Sequence, residues 1–259
     1  MTEYPDSILR VEYRSDKQVA VLTFDAPPLN VITIPTREHF GAVFREIEAN
    51  DAVRVVIMRV RGEHFSSGGD VVGFLKVTPE YISHFAENVA APERCSKPVI
   101  ARLSGYALGV GLEIALACDF RIASETTQIG LPEMRLGMIP GSGGTQRIAR
   151  MAGLGRAMDM ILRARRLPAE EARSWGLLTE VVPMSELDAR VDALVDELLA
   201  FSPLAYRVGK QALHASMEVP LSAGLVMEGR MYGFLRTTED FREGVQAFKD
   251  KRRPRFQGK

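Results

Sequence analysis

Apolar positions along the chain alternate between two periods. Residues 8–13 and 19–24 are rich in β-formers and flank the polar turn Ser15-Asp16-Lys17, which predicts a hairpin. After the breaker Ala26-Pro27-Pro28-Leu29-Asn30, the residues Phe40, Val43, Phe44 and Ile47 recur at helical spacing and predict a helix over 36–49. Val55-Val56-Ile57-Met58 then reads as a short, fully apolar strand. A second round follows, with a loop through Asp70, a helix over 79–93 and a strand over 98–102. A third round has a helix over 109–118, a strand over 120–123 and the short strand Gln128-Ile129-Gly130. Apolar strands alternating with helices predict parallel pairing and an α/β architecture.

Toward the C-terminus the pattern becomes purely helical. Ser185-Glu186-Leu187-Asp188 has the form of a capping box with Asp in place of Glu, and Leu187, Val191, Leu194, Val195 and Leu198 line one face of the helix it opens. Further helical patterns cover 203–217 and 221–235. The chain therefore divides into a β-rich core over 1–198 and a helical appendage over 199–259, with no low-complexity linker and no strict repeat.

Composition narrows the function classes. The 259 residues are 46% hydrophobic, enough for a sizeable core. Lys plus Arg and Asp plus Glu are both 33, so no overall field favours a polyanion, and nucleic acid is not an expected partner. The opening Met1-Thr2-Glu3-Tyr4-Pro5-Asp6 has neither a basic nor an apolar leader pattern, and no apolar run nears the roughly 18 residues of a membrane span. The expectation is a cytoplasmic protein with no membrane partner. Cys95 and Cys118 stand in no metal spacing and read as buried free thiols. His39, His64, His84 and His214 show no H-E-x-x-H spacing, and Gly-x-Ser-x-Gly is absent, so the histidines read as ordinary surface or interface residues and no metal site is expected.

The candidate chemistry lies in three glycine-rich stretches. Glu113 is the single charge in the segment 107–118. Burying an ionised carboxylate without a partner costs about several kcal/mol, which predicts a raised pKa, a hidden partner or a catalytic duty. The alternative is a Glu at the surface edge of a helix. Gly109 and Gly111 at the helix start leave room for backbone N–H groups to face a ligand, where the helix dipole favours developing negative charge. Ile114 stands where a dinucleotide fingerprint would need its third Gly. His64-Phe65-Ser66-Ser67-Gly68-Gly69-Asp70 follows a buried strand, where α/β sheets collect ligands, or is an ordinary turn. The stretch 130–145 supplies Glu133 between breakers and lacks the Lys of a P-loop. Two glycine loops and two carboxylates suit an enolate formed beside a thioester: two donors hold its oxygen while groups of differently tuned pKa move a proton at carbon. The run Lys249-Asp250-Lys251-Arg252-Arg253-Pro254-Arg255 is either solvated or a phosphate site.

Taken together, Phe65-Ser66-Ser67-Gly68-Gly69-Asp70, Gly105-Tyr106-Ala107-Leu108-Gly109-Val110-Gly111-Leu112-Glu113, and Pro132-Glu133 through Gly141-Ser142-Gly143-Gly144-Thr145-Gln146-Arg147 resemble the signature of the crotonase (enoyl-CoA hydratase/isomerase) superfamily. The similarity extends to Ala247-Phe248-Lys249-Asp250-Lys251-Arg252. It implies a crotonase-like spiral of ββα turns with a C-terminal helical trimerisation region, assembled as a homotrimer or hexamer. It also implies an acyl-CoA substrate whose coenzyme A is part of the substrate, with no separate cofactor. The oxyanion-hole amides would be those of Gly69 and Val110, the acid/base pair Glu113 and Glu133, and Gly141 would help hold water. Ser67, Asp70, Val71 and Lys251 would bind substrate, with Arg252 and Arg253 helping at the CoA phosphates. Retention of both glutamates implies a hydratase adding water across C2=C3 of a 2-enoyl-CoA; the alternatives are an enoyl-CoA isomerase or a cyclic dienoyl-CoA hydratase. A non-enzymatic acyl-CoA- or RNA-binding relative is the reading from a different class. Val110 stands where Gly is usual and its β-branch trims the acyl pocket. Val72 and Gly73 replace a frequent Lys and Glu, and the segment 27–34 resembles the cyclic dienoyl-CoA hydratases.

Overall fold

The computed structural model describes residues 2–4 and 7–259, so Met1, Pro5 and Asp6 of the opening segment lie outside the described residues. The chain forms two compact units, Met1–Cys95 with Val99–Asp192, and Ser96–Pro98 with Ala193–Lys259.

In the first unit the apolar runs become strands. β1 (Thr2–Glu3), β2 (Leu9–Arg14) and β3 (Val19–Phe24) pair antiparallel, with the expected turn realised as a 3-10 turn over Ser15–Lys17. α1 (Ile34–Ala49) begins two residues before the periodicity suggests, because the Thr33 hydroxyl accepts the Thr36 amide and Pro35 fits the first turn. It leads to β4 (Val55–Val60), parallel to β3 with Val19 opposite Val55. The helix expected over 79–93 is three short ones, α2 (Pro79–Ser83), α3 (Phe85–Val89) and α4 (Ala91–Arg94). Pro92 lacks the amide that would continue the ladder.

Next come β5 (Val99–Leu103), β6 (Tyr106–Leu108), α5 (Val110–Ala117), β7 (Phe120–Ser124), β8 (Gln128–Gly130), α6 (Gly144–Ala152), α7 (Leu154–Leu162), β9 (Arg166–Pro168), α8 (Ala169–Ser174), β10 (Glu180–Val182) and α9 (Leu187–Leu199). The large sheet runs β1-β2-β3-β4-β5-β7-β10, parallel from β3 onward, and the small sheet runs β6-β8-β9. The turns β5-β6-α5 and β7-β8-α6 each add one strand to each sheet, which is the spiral of ββα turns that the resemblance implies. β9 and β10 are only three residues each, too short for a period to show, and α6 and α7 are nine-residue helices broken at Gly153. Ser185 does not cap α9: it lies inside a 3-10 turn over Met184–Glu186 that runs straight into the helix. The expected apolar face of α9 is buried.

Aromatic packing anchors the loop that follows β4. Phe24 and Phe65 are fully buried with their rings 5.5 Å apart, edge to face. Deleting such a ring costs about 3–5 kcal/mol, so Phe65 fixes the entry to the Gly68-Gly69 turn. His64 accepts the Tyr106 amide and stacks on that ring at 4.3 Å, a structural role. Cys95 and Cys118 are both buried and are not joined in a disulfide.

The second unit holds α10 (Pro203–Ala215), α11 (Leu221–Leu235) and α12 (Glu239–Lys249), the first and last capped by Ser202 and Thr238. Buried Asp240 accepts the Ser202 hydroxyl and the amides of Gln257 and Gly258, fastening the tail beside α10. Leu213, Leu221, Leu225 and Phe248 are exposed. Among the described residues no helix is long and apolar enough to cross a membrane.

Candidate active site

Backbone tethers hold the loop after β4 in place. Ser66 donates its amide to the Tyr106 carbonyl and accepts the Leu108 amide; Ile32 donates to the Gly68 carbonyl and accepts the Asp70 amide. Asn30, buried at φ +47°, accepts the Ala26 amide and donates to the carbonyls of Arg61 and His64, while its own carbonyl accepts the Ser66 hydroxyl. Asn30 was no candidate from its sequence, yet it ties three segments together. Between these bonds, the Gly69 amide points elsewhere. Among the described residues neither the Gly69 nor the Val110 N–H has an acceptor within the protein.

The start of α5 lies against this loop. Gly109, at φ +53° and ψ −132°, makes the turn into the helix. A Cβ there would stand 3.0 Å from Glu133 Oε1 and 3.5 Å from the Gly68 Cα, so both glycine loops and Glu133 converge on one space. Gly111 has a different purpose from the one its sequence suggests. A Cβ at 111 would stand 2.5 Å from the Ser66 Cβ, so its smallness lets helix and loop pack and does not serve ligand approach.

Glu113 is buried, and its Oε1 accepts the amides of Ser142 at 2.7 Å and Gly144 at 2.9 Å. Burial pushes its carboxyl above the ordinary range, while the Gly144 and Ser142 amides, then Arg37 and Arg147, pull it back. Arg147 steadies the loop by donating to the Ser142 carbonyl and pairing with Glu93. Glu133 stands in a 3-10 turn over Pro132–Leu136. Burial first, and the Glu113 charge after it, raise its carboxyl to about 7 against its own backbone amide and Arg37. Among the described residues its Oε2 has no hydrogen-bond partner.

Gly69, Val110, Glu113, Glu133 and Gly141 line one cavity of about 130 Å³, with Ser67 and Val71 at its wall. Gly141 has open space around its Cα and is exposed. Asp70 is not among the lining residues: its carboxylate accepts the Gly73 amide and shapes the turn. Lys251 belongs to the second unit, exposed beyond α12 at φ +54°. Arg252 is committed to a two-pronged ion pair with Glu243. Nothing in the motifs singles out Arg37, yet it is buried in the cavity wall and lowered to about 10 by desolvation, with Glu113 and Glu133 opposing. The available signal is its position on α1, one turn before Phe40 on the apolar stripe. Among the described residues no three His, Cys, Asp or Glu side chains gather as a metal site.

Two unpaired amides beside two carboxyls of unequal burial form a site for polarising a carbonyl and moving protons near it. The comparison with known proteins agrees: the enoyl-CoA hydratase/isomerase family matches residues 14–259, and the chain belongs to that family, within the crotonase superfamily. A short-chain-enoyl-CoA hydratase of Clostridium acetobutylicum is 35% identical over 242 residues, covering 91% of this chain and 93% of that protein. An enoyl-CoA isomerase/hydratase of Mycosarcoma maydis is 39% identical over 211 residues, covering 80% and 77%. The solved structure of an enoyl-CoA hydratase from Bacillus anthracis superposes with a TM-score of 0.90 at 34% identity, covering 98% of this chain and all of that one.

Proposed function

We propose that the protein is an enoyl-CoA hydratase that adds water across the C2=C3 bond of a 2-enoyl-CoA. The observation that carries this reading is the convergence of Glu113 and Glu133 on the cavity that also receives the Gly69 and Val110 amides. The thioester oxygen accepts both amides, which stabilise the enolate as it forms. Glu113, tied to two amides that favour its ionised form, takes the proton from water as the oxygen attacks C3. Glu133, half protonated near neutral pH, delivers a proton to C2. Gly141 at the mouth helps hold the water, Val71 and Ser67 contact the acyl thioester, and Lys251 holds a CoA phosphate.

Incubation with crotonyl-CoA, read by mass spectrometry as the gain of one water, tests the reaction. Conversion of a 3-enoyl-CoA to the 2-enoyl ester without hydration would replace this reading by isomerisation. Lys251→Ala raises KM for a CoA ester and leaves kcat unchanged; an equal change with a pantetheine thioester would count against its phosphate role. The exposed Leu213 and Leu225 support assembly of the helical unit into a homotrimer or hexamer. Sedimentation as a monomer at micromolar concentration would refute that assembly.

A further inference from the structure

The cavity contains one cation with no acid in contact. Arg37 is 6% exposed, and among the described residues no carboxylate oxygen lies within 4.0 Å of it. Its Nη1 is 3.5 Å from the Ser142 hydroxyl and, among the described residues, its Nε has no hydrogen-bond partner. The guanidinium carbon lies 5.0 Å from the Phe74 ring centre and 5.1 Å from that of Phe85, so the group is held against two aromatic rings. A Cβ on Gly69 would come 2.6 Å from Nη2, which sets the cation directly beside the residue whose amide is offered to the thioester oxygen.

The neighbouring wall is apolar, built from Val71, Phe74, Ile82, Leu136, Met138 and Ile139. A guanidinium has five N–H donors, and the Ser142 hydroxyl satisfies one of them at long range. Burying a cation is costly, and the two aromatic faces offset part of that cost without accepting its N–H groups. Glu113 and Glu133 attract it only from a distance. An apolar side chain of the same length would fill this place without that cost, so the cation points to an acceptor that arrives with the ligand. Arginine's planar fork suits a carboxylate, or any oxygen that can take two parallel N–H groups.

We propose that Arg37 determines substrate specificity by holding an oxygen acceptor on the acyl group, so that the preferred thioesters are short, oxygen-bearing acyl-CoA esters and not plain hydrocarbon ones. The proposal rests on the acyl-CoA reading of the site. The cavity of about 130 Å³ favours a short acyl group.

Binding of saturated, unreactive esters to the full chain tests this without turnover. Isothermal titration with pentanoyl-CoA, 5-hydroxypentanoyl-CoA and glutaryl-CoA compares acyl chains of one length that differ at the end. A hydrogen bond to a charged group predicts glutaryl-CoA tighter than pentanoyl-CoA by roughly 10- to 100-fold, with the hydroxy ester between them. Arg37→Met keeps the contact with both rings and removes the preference while pentanoyl-CoA binding holds; Arg37→Lys, which keeps charge without the fork, retains part of it. Equal binding of the three esters by the wild-type chain overturns the proposal, as does a preference that survives in Arg37→Met. An equal loss for all three esters in Arg37→Met would also overturn it, making Arg37 a general support of the site. A chain that shows the preference but hydrates nothing leaves Arg37 in its role and removes the hydratase reading. Failure of all three esters to bind removes both.

Discussion

Glu113 and Glu133 are two copies of one functional group in two kinds of support. Glu113 sits in the middle of a hydrophobic helix, buried, with one oxygen fastened by the Ser142 and Gly144 amides. Glu133 sits half-buried in a short 3-10 turn just ahead of exposed residues, with one oxygen unpartnered among the described residues. Both are pushed toward protonation by burial, but two amides of a separate loop reward ionisation of the first, whereas the second has only its own backbone amide. On the proposed mechanism, the division of labour between base and acid is thus set by backbone geometry and not by side-chain chemistry.

Neutralising either member breaks the comparison most severely. Glu113→Gln and Glu133→Gln each lower kcat by about 10²- to 10⁴-fold with little change in KM, because each removes a proton transfer. Steady-state kinetics on crotonyl-CoA check this, and wild-type-like turnover in either variant would remove the paired mechanism. A smaller effect follows from loosening the support of Glu113 alone. A Cβ at position 144 would stand 2.6 Å from Leu131 Cδ1 and 3.1 Å from Glu113 Oε1. Gly144→Ala therefore lowers kcat roughly 10-fold, the worth of one hydrogen bond to a charged group. It leaves the titration attributed to Glu133 in place.

The pH profile sharpens the contrast. Glu133 must be protonated to donate in hydration, so kcat for hydration falls as pH rises through about 7, while the reverse dehydration, which needs the carboxylate, rises over the same window. A hydration profile flat from pH 6 to pH 8, checked by initial rates in both directions, would separate Glu133 from the proton delivery. The smallest effect is on stability. A carboxyl whose folded pKa is raised contributes stability below its ordinary range and loses it as pH rises through the folded value. The melting temperature of Glu133→Gln, which has no proton to lose, therefore falls less than that of the wild type between pH 5 and pH 8. Calorimetry across that range checks the sign.

How much of this was legible in the sequence depends on which interactions are local. Strands β2, β3, β4, β5 and β7 and helix α1 are visible because each extends over five or more residues, whereas β9 and β10 are too short to carry a pattern. Glu113 stands out as a lone charge in an apolar helix. Its fastening does not, because Ser142 and Gly144 reach it from 29 and 31 residues away through backbone groups that every residue possesses. Gly111 is misleading for a similar reason, since its contact with Ser66 is made only in three dimensions. Arg37 could have been noticed as a cation on an apolar stripe, but the unpaired state of its Nε is a property of the fold.

The tethers of the loop after β4 have a further consequence. Ile32 bonds to the residues on both sides of Gly69, as one strand does to its parallel neighbour, so Gly69 turns its own N–H outward from the pair. In a surface sheet such an outward row of amides is an open edge, a place where foreign strands add and chains aggregate. Here the edge is one residue long and opens onto a cavity wall. The donor that the proposed mechanism offers to the thioester is thus a sheet edge reduced to a single amide, too short to recruit another strand yet aimed by the same geometry that makes long edges adhesive.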